Sequence, residues 1–498
     1  MPFQMAVPRT AYRLKSLAIA MLPLICLSCG ETYRPVANPV TPNPPNPGFS
    51  HVAVVVAGNN VNGIPNRGTS TTIDVSGDTA VSQATVGLAP SFAALAANGT
   101  RAFVTNSQDD TVSEFAPSSP TPVSTISLPT GSTPSFAATA ETLNLYVANS
   151  GNGTVSVISV VSNAVTNTIP VGTNPIALVE TPVTAASPPQ QVYVANQGNG
   201  TLSVISSVDK SVSTITGFAS PVWVAARSDA NRVYVLDAAG STVFAIDTAT
   251  NTALPTTASV GPAGANFMAY DPLQNRLYVT NPVGNSLSII NVSNDALTTT
   301  TVSVPSPVSV GILPDASRAY VASAAVNGTN VSSAVTVVNA QNASIEKTIP
   351  LETVPRTCTN PRFELSVAAS ADGSRVYVGN CDVGNTAIIQ TSSDTVIRFL
   401  TAPTNSAPAS TLSVTAATQS RSTTTYAYTL TSGPALAPGM NVAVENMQST
   451  GNNGGFTITS VGSGTFTVTN PDGVTSSGDS GLGTATTPQN PVFVVAGP

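Results

Sequence analysis

Short apolar runs separated by polar turns recur along most of this chain. In the clearest copy, residues 145–158, two stretches rich in Val, Ile and Tyr flank the dipeptide Asn152-Gly153. The pattern returns at residues 192–205 around Asn199-Gly200. Asn and Gly tolerate the positive φ of a tight hairpin turn, and β-branched and aromatic residues suit a pleated strand. Each copy therefore predicts a β-hairpin.

Weaker copies extend this hairpin into a repeat. Its aromatic position is occupied in turn by Phe103, Tyr146, Tyr193, Tyr234, Tyr278, Tyr320 and Tyr377. Successive positions differ by 43, 47, 41, 44, 42 and 57 residues, and a degenerate copy precedes them at Val55-Val56-Ala57-Gly58. A period of about 44 residues made only of strands is typical of a β-propeller, in which each repeat is one four-stranded blade. The chain is therefore predicted to be all-β.

A proline precedes the predicted innermost strand of each blade, at Pro90, Pro134, Pro175, Pro221, Pro262, Pro307 and Pro361. Proline at the first residue of a strand removes no ladder hydrogen bond. In four repeats the following turn carries an aspartate and the next strand opens with an arginine, as in Asp229 with Arg232 and Asp372 with Arg375. Aspartate suits such a turn because its carboxylate accepts backbone N–H bonds.

The number of blades depends on the end of the chain. Second, third and fourth strands are predicted eight times within residues 51–410, but the innermost strand only seven times. The C-terminal stretch that begins Asn490-Pro491-Val492 parallels Asn174-Pro175-Ile176. We expect residues 488–498 to complete the N-terminal blade and close the ring, which removes an unpaired sheet edge. Eight blades are favoured; seven, with one hairpin outside the ring, is the alternative.

Residues 411–487 do not follow the repeat. They show strands of alternating apolar and polar residues, separated by turns at Asn453-Gly454 and Ser463-Gly464. The segment resembles the small β-sandwich modules of bacterial surface and phage proteins. It is predicted to be a β-sandwich-like domain inserted before the last propeller strand; a domain simply appended to the propeller is the alternative.

The N-terminus is predicted to be an export signal. Arg9, Arg13 and Lys15 precede an apolar run over residues 17–27, which is too short to span a membrane. The sequence Cys26-Leu27-Ser28-Cys29-Gly30 resembles a bacterial lipoprotein signal, which implies that residues 1–28 are removed and that Cys29 carries lipid. An ordinary secretory signal with an incidental cysteine is the alternative. Residues 29–50 are rich in proline and favour an extended tether.

Charge argues against nucleic acid as a partner. The formal net charge is −7, and without the three basic signal residues 14 basic residues face 24 acidic ones. Phosphate binding needs a basic stripe, and none is visible. Charged residues make up only 8% of the chain and apolar residues 41%, which fits an extracytoplasmic all-β protein.

Few residues are candidates for chemistry. His51 is the sole histidine and is predicted to face solvent, so neither histidine base catalysis nor a multi-histidine metal site is expected. Trp223 lies on a predicted innermost strand, where it would pack or line the channel. Most aspartates lie in repeat turns and are predicted to cap them. Cys358 and Cys381, an even pair in an exported body, are predicted to form a disulfide.

The repeats also resemble a known family. Tyr278-Val279-Thr280-Asn281, together with the Thr-Val-Ser-Val-Ile and Thr-Ile-Pro-Val-Gly stretches of other repeats, is similar to the bacterial YVTN β-propeller repeat over residues 51–403. The resemblance implies a surface or periplasmic propeller without an assigned reaction. We therefore expect a non-catalytic binding or scaffold lipoprotein of the cell envelope, with no cofactor and with a protein or glycan ligand. A lactonase-like hydrolase with a metal at the channel mouth and a structural surface-layer component are the alternatives.

Overall fold

The computed structural model describes residues 51–61, 64–96, 99–117, 122–139, 144–184, 190–356, 358, 364–401, 410–433, 435–436, 438, 440–486 and 490–497. The predicted signal peptide, the tether with Cys29, and Pro361 lie outside these residues. The described part is all-β, with eight four-stranded antiparallel sheets and one closed barrel. Among these residues, no helical segment has the length and hydrophobicity of a membrane span.

The first four sheets are blades 1 to 4. Blade 1 contains β1 (Val52–Val61), β2 (Ile64–Asp74), β3 (Thr79–Leu88) and β38 (Asn490–Gly497). Blade 2 contains β4 (Pro90–Leu95), β5 (Ala102–Asn106), β6 (Thr111–Phe115) and β7 (Pro122–Ser127). Blade 3 contains β8 (Pro134–Thr139), β9 (Asn144–Asn149), β10 (Thr154–Ser159) and β11 (Ala164–Pro170). Blade 4 contains β12 (Pro175–Glu180), β13 (Gln191–Asn196), β14 (Thr201–Ser206) and β15 (Val212–Thr216).

The next four sheets are blades 5 to 8. Blade 5 contains β16 (Pro221–Ala226), β17 (Arg232–Asp237), β18 (Thr242–Asp247) and β19 (Thr252–Ser259). Blade 6 contains β20 (Phe267–Asp271), β21 (Arg276–Asn281), β22 (Ser286–Asn291) and β23 (Thr298–Ser303). Blade 7 contains β24 (Pro307–Ile312), β25 (Arg318–Asn327), β26 (Asn330–Asn339) and β27 (Ile345–Pro355). Blade 8 contains β28 (Leu365–Ala369), β29 (Arg375–Asn380), β30 (Asn385–Gln390) and β31 (Thr395–Thr401).

The eight blades form a closed ring. Each innermost strand contacts that of the next blade, from β4 through β8, β12, β16, β20, β24 and β28 to β38, and β38 contacts β4. The strand β38 closes the ring because it pairs antiparallel with β1, from Val52 opposite Gly497 to Gly58 opposite Asn490. The first blade is thus built from both ends of the chain. The structure is the eight-bladed propeller favoured by the repeat count.

The strand order defines two faces of the propeller. At the crossover face, each second strand turns into the third, and each outer strand crosses to the next innermost strand. At the base face lie the turns between first and second strands and those between third and fourth strands. The Asn-Gly turns lie on the crossover face, where Gly153 and Gly200 adopt φ of 66° and 64° as their sequence predicts. Asn149 ends β9 and donates hydrogen bonds to Thr154 and Ser156, which fixes the hairpin beside the turn.

The core lies between neighbouring blades. The repeated tyrosines of the second strands are at most 1% exposed and are the largest fully buried side chains of the propeller, namely Tyr146, Tyr193, Tyr234, Tyr278, Tyr320 and Tyr377. The burial of this apolar surface is the main contribution to the stability of the contacts between neighbouring blades.

The inserted segment is a closed barrel, not a two-sheet sandwich. Its strands are β32 (Ser410–Ser420), β33 (Thr423–Ser432), β34 (Asn441–Glu445), β35 (Gly454–Gly462), β36 (Thr465–Thr469) and β37 (Ser476–Thr486). The sheet closes because β32 pairs with β33 on one side and with β37 on the other. Tyr426 and Phe466 stack inside it at 5.1 Å between ring centroids. Alternating strands predicted the β structure, but alternation alone does not distinguish closure from stacking of two sheets.

Candidate functional site

One layer of side chains occupies the same position on all eight innermost strands. Each member is paired with the residue two places after the repeated aromatic position of its blade, as the pairs Phe92 with Thr105 and Trp223 with Leu236 show. In blade 1 that aromatic position is occupied by Val54. The members are Phe92, Phe136, Ala177, Trp223, Phe267, Ser309, Ser366 and Phe493. We call this set the channel layer. It contains five aromatic residues and no charged residue.

The five aromatic rings of the channel layer touch one another in a row. Ring centroids are 4.2 Å apart for Phe493 and Phe92, and 4.1 Å apart for Phe92 and Phe136. The row continues from Phe136 to Trp223 at 5.4 Å and from Trp223 to Phe267 at 4.5 Å.

One of these contacts shows where the rings lie. Phe136 and Trp223 belong to blades 3 and 5, so their rings meet across blade 4. Blade 4 contributes only Ala177 to the layer, which leaves room for that contact. The rings therefore meet inside the central channel. Trp223 lines the channel and packs against Phe136 and Phe267, and it is 9% exposed.

Short polar side chains tie neighbouring innermost strands together beside this layer. Ser91 donates to the Pro134 carbonyl and Ser135 to the Pro175 carbonyl, each at 2.9 Å. On the other side of the ring, Ser309 donates to the Leu365 carbonyl at 3.0 Å, and Ser366 accepts from the Val494 N–H at 3.0 Å. Each of these bonds joins two neighbouring blades at the channel wall.

Acidic side chains on the crossover face bind backbone N–H groups. Asp110 accepts from the Gly131 and Thr133 N–H groups, both at 2.7 Å. Asp237 accepts from the Ala219 and Ser220 N–H groups at 2.6 and 3.0 Å. Each carboxylate thereby fixes the connection between two blades. The aspartates of this face are structural caps, as their positions in turns predict.

The aspartates of the base face do the same within their turns. Asp229, Asp315 and Asp372 each accept the N–H of the residue two places later, at 3.0 Å in all three cases. Burial alone would raise the pKa of Asp372, but hydrogen bonds from Ser370 and Ser374 and the charge of His51 bring it below its usual value. His51 is half-buried and its Nδ1 is buried without a hydrogen-bond partner among the described residues, so the expected solvent-facing position is wrong.

The arginines that open the second strands reach the next blade. Arg232 binds Asp295 of blade 6 through two hydrogen bonds of 3.0 and 2.8 Å, and that hydrogen bonding lowers the pKa of Asp295. Arg318 binds Asp394 of blade 8 at 2.7 Å. Arg375 of blade 8 binds Asp78 of blade 1, and so bridges the point where the ring closes. Sequence reasoning found these arginines but not their partners, which lie in turns of the neighbouring repeat.

Cys358 and Cys381 come together on the crossover face of blade 8. Their Cα atoms are 5.7 Å apart, at disulfide-bonding distance. They meet because β28 and β29 run antiparallel, with Leu365 opposite Asn380, which brings the start of one strand beside the end of the other. The Cys358 N–H also donates to Asp382 at 2.7 Å.

Across the described ranges, no three His, Cys, Asp or Glu side chains lie close enough together to hold a metal ion. The channel layer is the feature that sequence reasoning missed. Only Trp223 was singled out. The signal that could have found the rest is an aromatic residue two places after the innermost-strand proline, as at Phe92 and Phe136.

The fold is shared with solved structures, although no protein family model and no curated protein sequence matches the chain. The dihydro-heme d1 dehydrogenase NirN is 11% identical, with a TM-score of 0.53, over 71% of this chain and 73% of that one. Hydrazine synthase of Kuenenia stuttgartiensis is 18% identical, with a TM-score of 0.48, over 61% of this chain and 96% of that one. The Swd1 β-propeller domain of Myceliophteria thermophila is 8% identical, with a TM-score of 0.46, over 60% of this chain and 95% of that one. At these identities the likeness concerns the fold alone: this chain is a β-propeller protein.

Proposed function

We propose that this protein is a non-catalytic binding or scaffold module of the bacterial cell envelope, held at the membrane by lipid on Cys29. The observation that carries the proposal is the channel layer, which has five aromatic side chains and no charged one at the positions where a central metal would need converging carboxylates. The aspartates around the crossover face are engaged as caps, which makes that face a rigid platform for its loops.

The anchoring part of the proposal rests on the sequence. The lipoprotein-like signal, the proline-rich tether and the resemblance to YVTN repeats together support a propeller held away from a membrane surface, on its periplasmic or its external side. The described chain begins at His51, at the base-face end of β1. In this proposal the crossover face, which is opposite that end of β1, is the binding face.

The proposal is tested with the full-length chain used as bait in intact envelope, with chemical cross-linking and identification of captured proteins and glycans. We expect a small set of partners that is retained when the base-face residue Lys347 is changed to Ala. In parallel, purified protein is assayed against a panel of lactones and esters with and without Ca²⁺ and Zn²⁺. Metal-dependent hydrolysis without partner capture would replace the binding function with the lactonase-like alternative. Ordered self-association of purified protein would favour the surface-layer alternative.

A further inference from the structure

Two hairpins rise above the crossover face, one on each side of blade 8. In blade 7, β25 and β26 are ten residues long, whereas the corresponding β29 and β30 of blade 8 have six. Ser323 of blade 7 corresponds to Asn380, the last residue of β29 in blade 8. The strand β25 continues for four residues beyond Ser323, which is about 13 Å of extended chain. In blade 1 the corresponding residue is Ala57, and β1 also continues for four residues beyond it.

The raised part of β25 has a free edge. Its innermost neighbour, β24, begins at Pro307 opposite Ser323, so residues 324–327 pair with β26 alone. The Ala324 N–H still donates to the Ser306 carbonyl at 3.1 Å, which shows that even-numbered residues direct their backbone groups to this edge. Val326 is next in that row, and within the described part of the chain its backbone has no partner on that side.

The other side of this hairpin is firmly held. The strand β27 pairs with it as far as Asn330 opposite Pro355, and the Arg356 N–H donates to the Thr329 carbonyl at the hairpin tip, at 2.8 Å. Val331 is only 1% exposed. Ser333 accepts a hydrogen bond of 2.9 Å from Asn380 of blade 8. The free edge is therefore presented by a three-stranded, anchored sheet and not by a loose loop.

Sheet edges are normally protected by charged residues or proline, because an unprotected edge pairs with other chains. From Ser323 to Ser333 the hairpin contains neither. Val326 is instead 47% exposed, next to the small residues Ala324 and Ala325. A β-branched residue beside small ones favours a cross-strand partner that is itself apolar and extended.

We infer that the raised hairpin of blade 7 binds an extended polypeptide segment as an added strand along Ala324 to Asn327. The partner is a polypeptide because the free groups are a strand's own N–H and C=O, the recognition elements of strand addition. It carries an apolar residue opposite Val326 and small neutral residues beside it. This inference rests on the proposed binding function and assigns it a place on the crossover face.

The test uses the full chain with Cys29→Ser and a displayed library of unstructured twelve-residue peptides as probe. Val326→Pro removes the edge N–H without breaking the hairpin, because that N–H is not bonded to β26. Val326→Thr is the matched control, since it keeps both the N–H and the β-branched shape. Selected peptides are expected to bind the proline variant at least tenfold more weakly and the threonine variant within about threefold of the parent. Hydrogen exchange at the Val326 amide is expected to slow when peptide binds.

A second variant replaces residues 324–333 with a short turn like that of blade 8, and its melting temperature shows whether the propeller still folds. We expect a folded protein that binds none of the selected peptides. The inference is overturned if the library yields no binder, or if binders retain their affinity for both the Val326→Pro and the shortened variant. If the peptide experiment fails but partners are still captured from the envelope, only this binding site is overturned. If no partner is captured from the envelope, the proposed function itself is overturned.

Discussion

Arg375 and Asp78 are 297 residues apart in sequence, yet the Arg375 Nε donates to both carboxylate oxygens of Asp78, at 2.8 and 2.9 Å. The two side chains are 9% and 5% exposed. They belong to blades 8 and 1, the last and first units of the ring. Arg398 adds a hydrogen bond of 3.1 Å from the same blade to the Asp78 carbonyl. The ring is therefore closed on the base face by a buried ion pair, in addition to the strand β38.

Removing one partner of this pair should destabilise the propeller strongly. Arg375→Ala leaves the Asp78 carboxylate buried without its cation, which costs about 3 kcal/mol or more of unfolding free energy. Lys347→Ala is the matched control, because Lys347 also reaches the next blade but its bond to the Ser393 carbonyl is exposed. We expect that control to change stability by less than about 0.5 kcal/mol. Urea unfolding followed by tyrosine fluorescence measures both, and equal effects would contradict the assignment.

The second-strand tyrosines should make the protein sensitive to alkali. Burial raises the pKa of Tyr146, Tyr234 and Tyr278 to about 12 each, whereas an unfolded tyrosine ionises near about 10. The folded state therefore keeps these phenols neutral, and their contribution is complete below about pH 10 and lost as the pH rises towards 12. Absorbance at 295 nm should show them ionising together with unfolding. Ionisation of these tyrosines near pH 10 while the protein is still folded would contradict this prediction.

Tyr377 offers a sharper version of that experiment. Its hydroxyl is buried without a hydrogen-bond partner among the described residues, and burial raises its pKa well above the usual value. Tyr377→Phe removes a desolvated polar group, so we expect unchanged or slightly raised stability at pH 7 and a later alkaline transition. Tyr320→Phe is the contrasting variant, since the Tyr320 hydroxyl donates to Asp394 of the next blade. That variant should lower stability by about 1 kcal/mol or more.

The C-terminal strand should be essential for the closed ring. Deleting residues 490–498 removes the innermost strand of blade 1 and exposes the Val52 to Gly58 edge of β1. It also removes Phe493, which packs against Phe92 in the channel layer. We expect a loss on the order of several kcal/mol, of which Phe493→Ala alone accounts for about 3. A truncated protein with the melting temperature of the parent would show that β38 does not support the ring.

Cys358 and Cys381 are expected to be oxidised to a disulfide in the exported protein. Unreduced, denatured protein should contain no thiol that reacts with an alkylating agent, and reduction should release two. Changing both to Ser should destabilise the fold by about 3 kcal/mol, because the bridge closes a loop of 23 residues in the unfolded chain. Two reactive thiols before reduction would rule the bridge out.

Cys29 is expected to carry the lipid anchor. Cys29→Ser should release the protein from membranes without changing its melting temperature, since the residue precedes the described propeller. Mass spectrometry of the wild type should find a diacylglyceryl group on this cysteine. An unmodified wild type, together with a variant that still sediments with membranes, would contradict lipidation.

The strands of this protein are determined locally, and the sequence was sufficient to find them. Alternating Val, Ile and Tyr positions around Asn-Gly turns predict hairpins such as β9–β10 because the conformational preferences involved lie within a few residues. The period of the repeat then predicts blades. The likeness of Asn490-Pro491 to Asn174-Pro175 identifies the closing strand for the same reason, since an innermost strand has one recurring pattern wherever it occurs in the chain.

Contacts between repeats were decided only by the tertiary structure. The aromatic row of the channel layer depends on ring geometry, which brings Phe136 and Trp223 together across blade 4. The partner of Arg375 is a turn residue of the first blade, and its identity depends on closure of the ring. The free edge at Val326 exists because β24 begins four residues short of the hairpin tip, and the inserted segment is a barrel because β37 returns to β32. Local patterns specify strands, but such relationships follow from the distances that the assembled sheets impose on residues far apart in the chain.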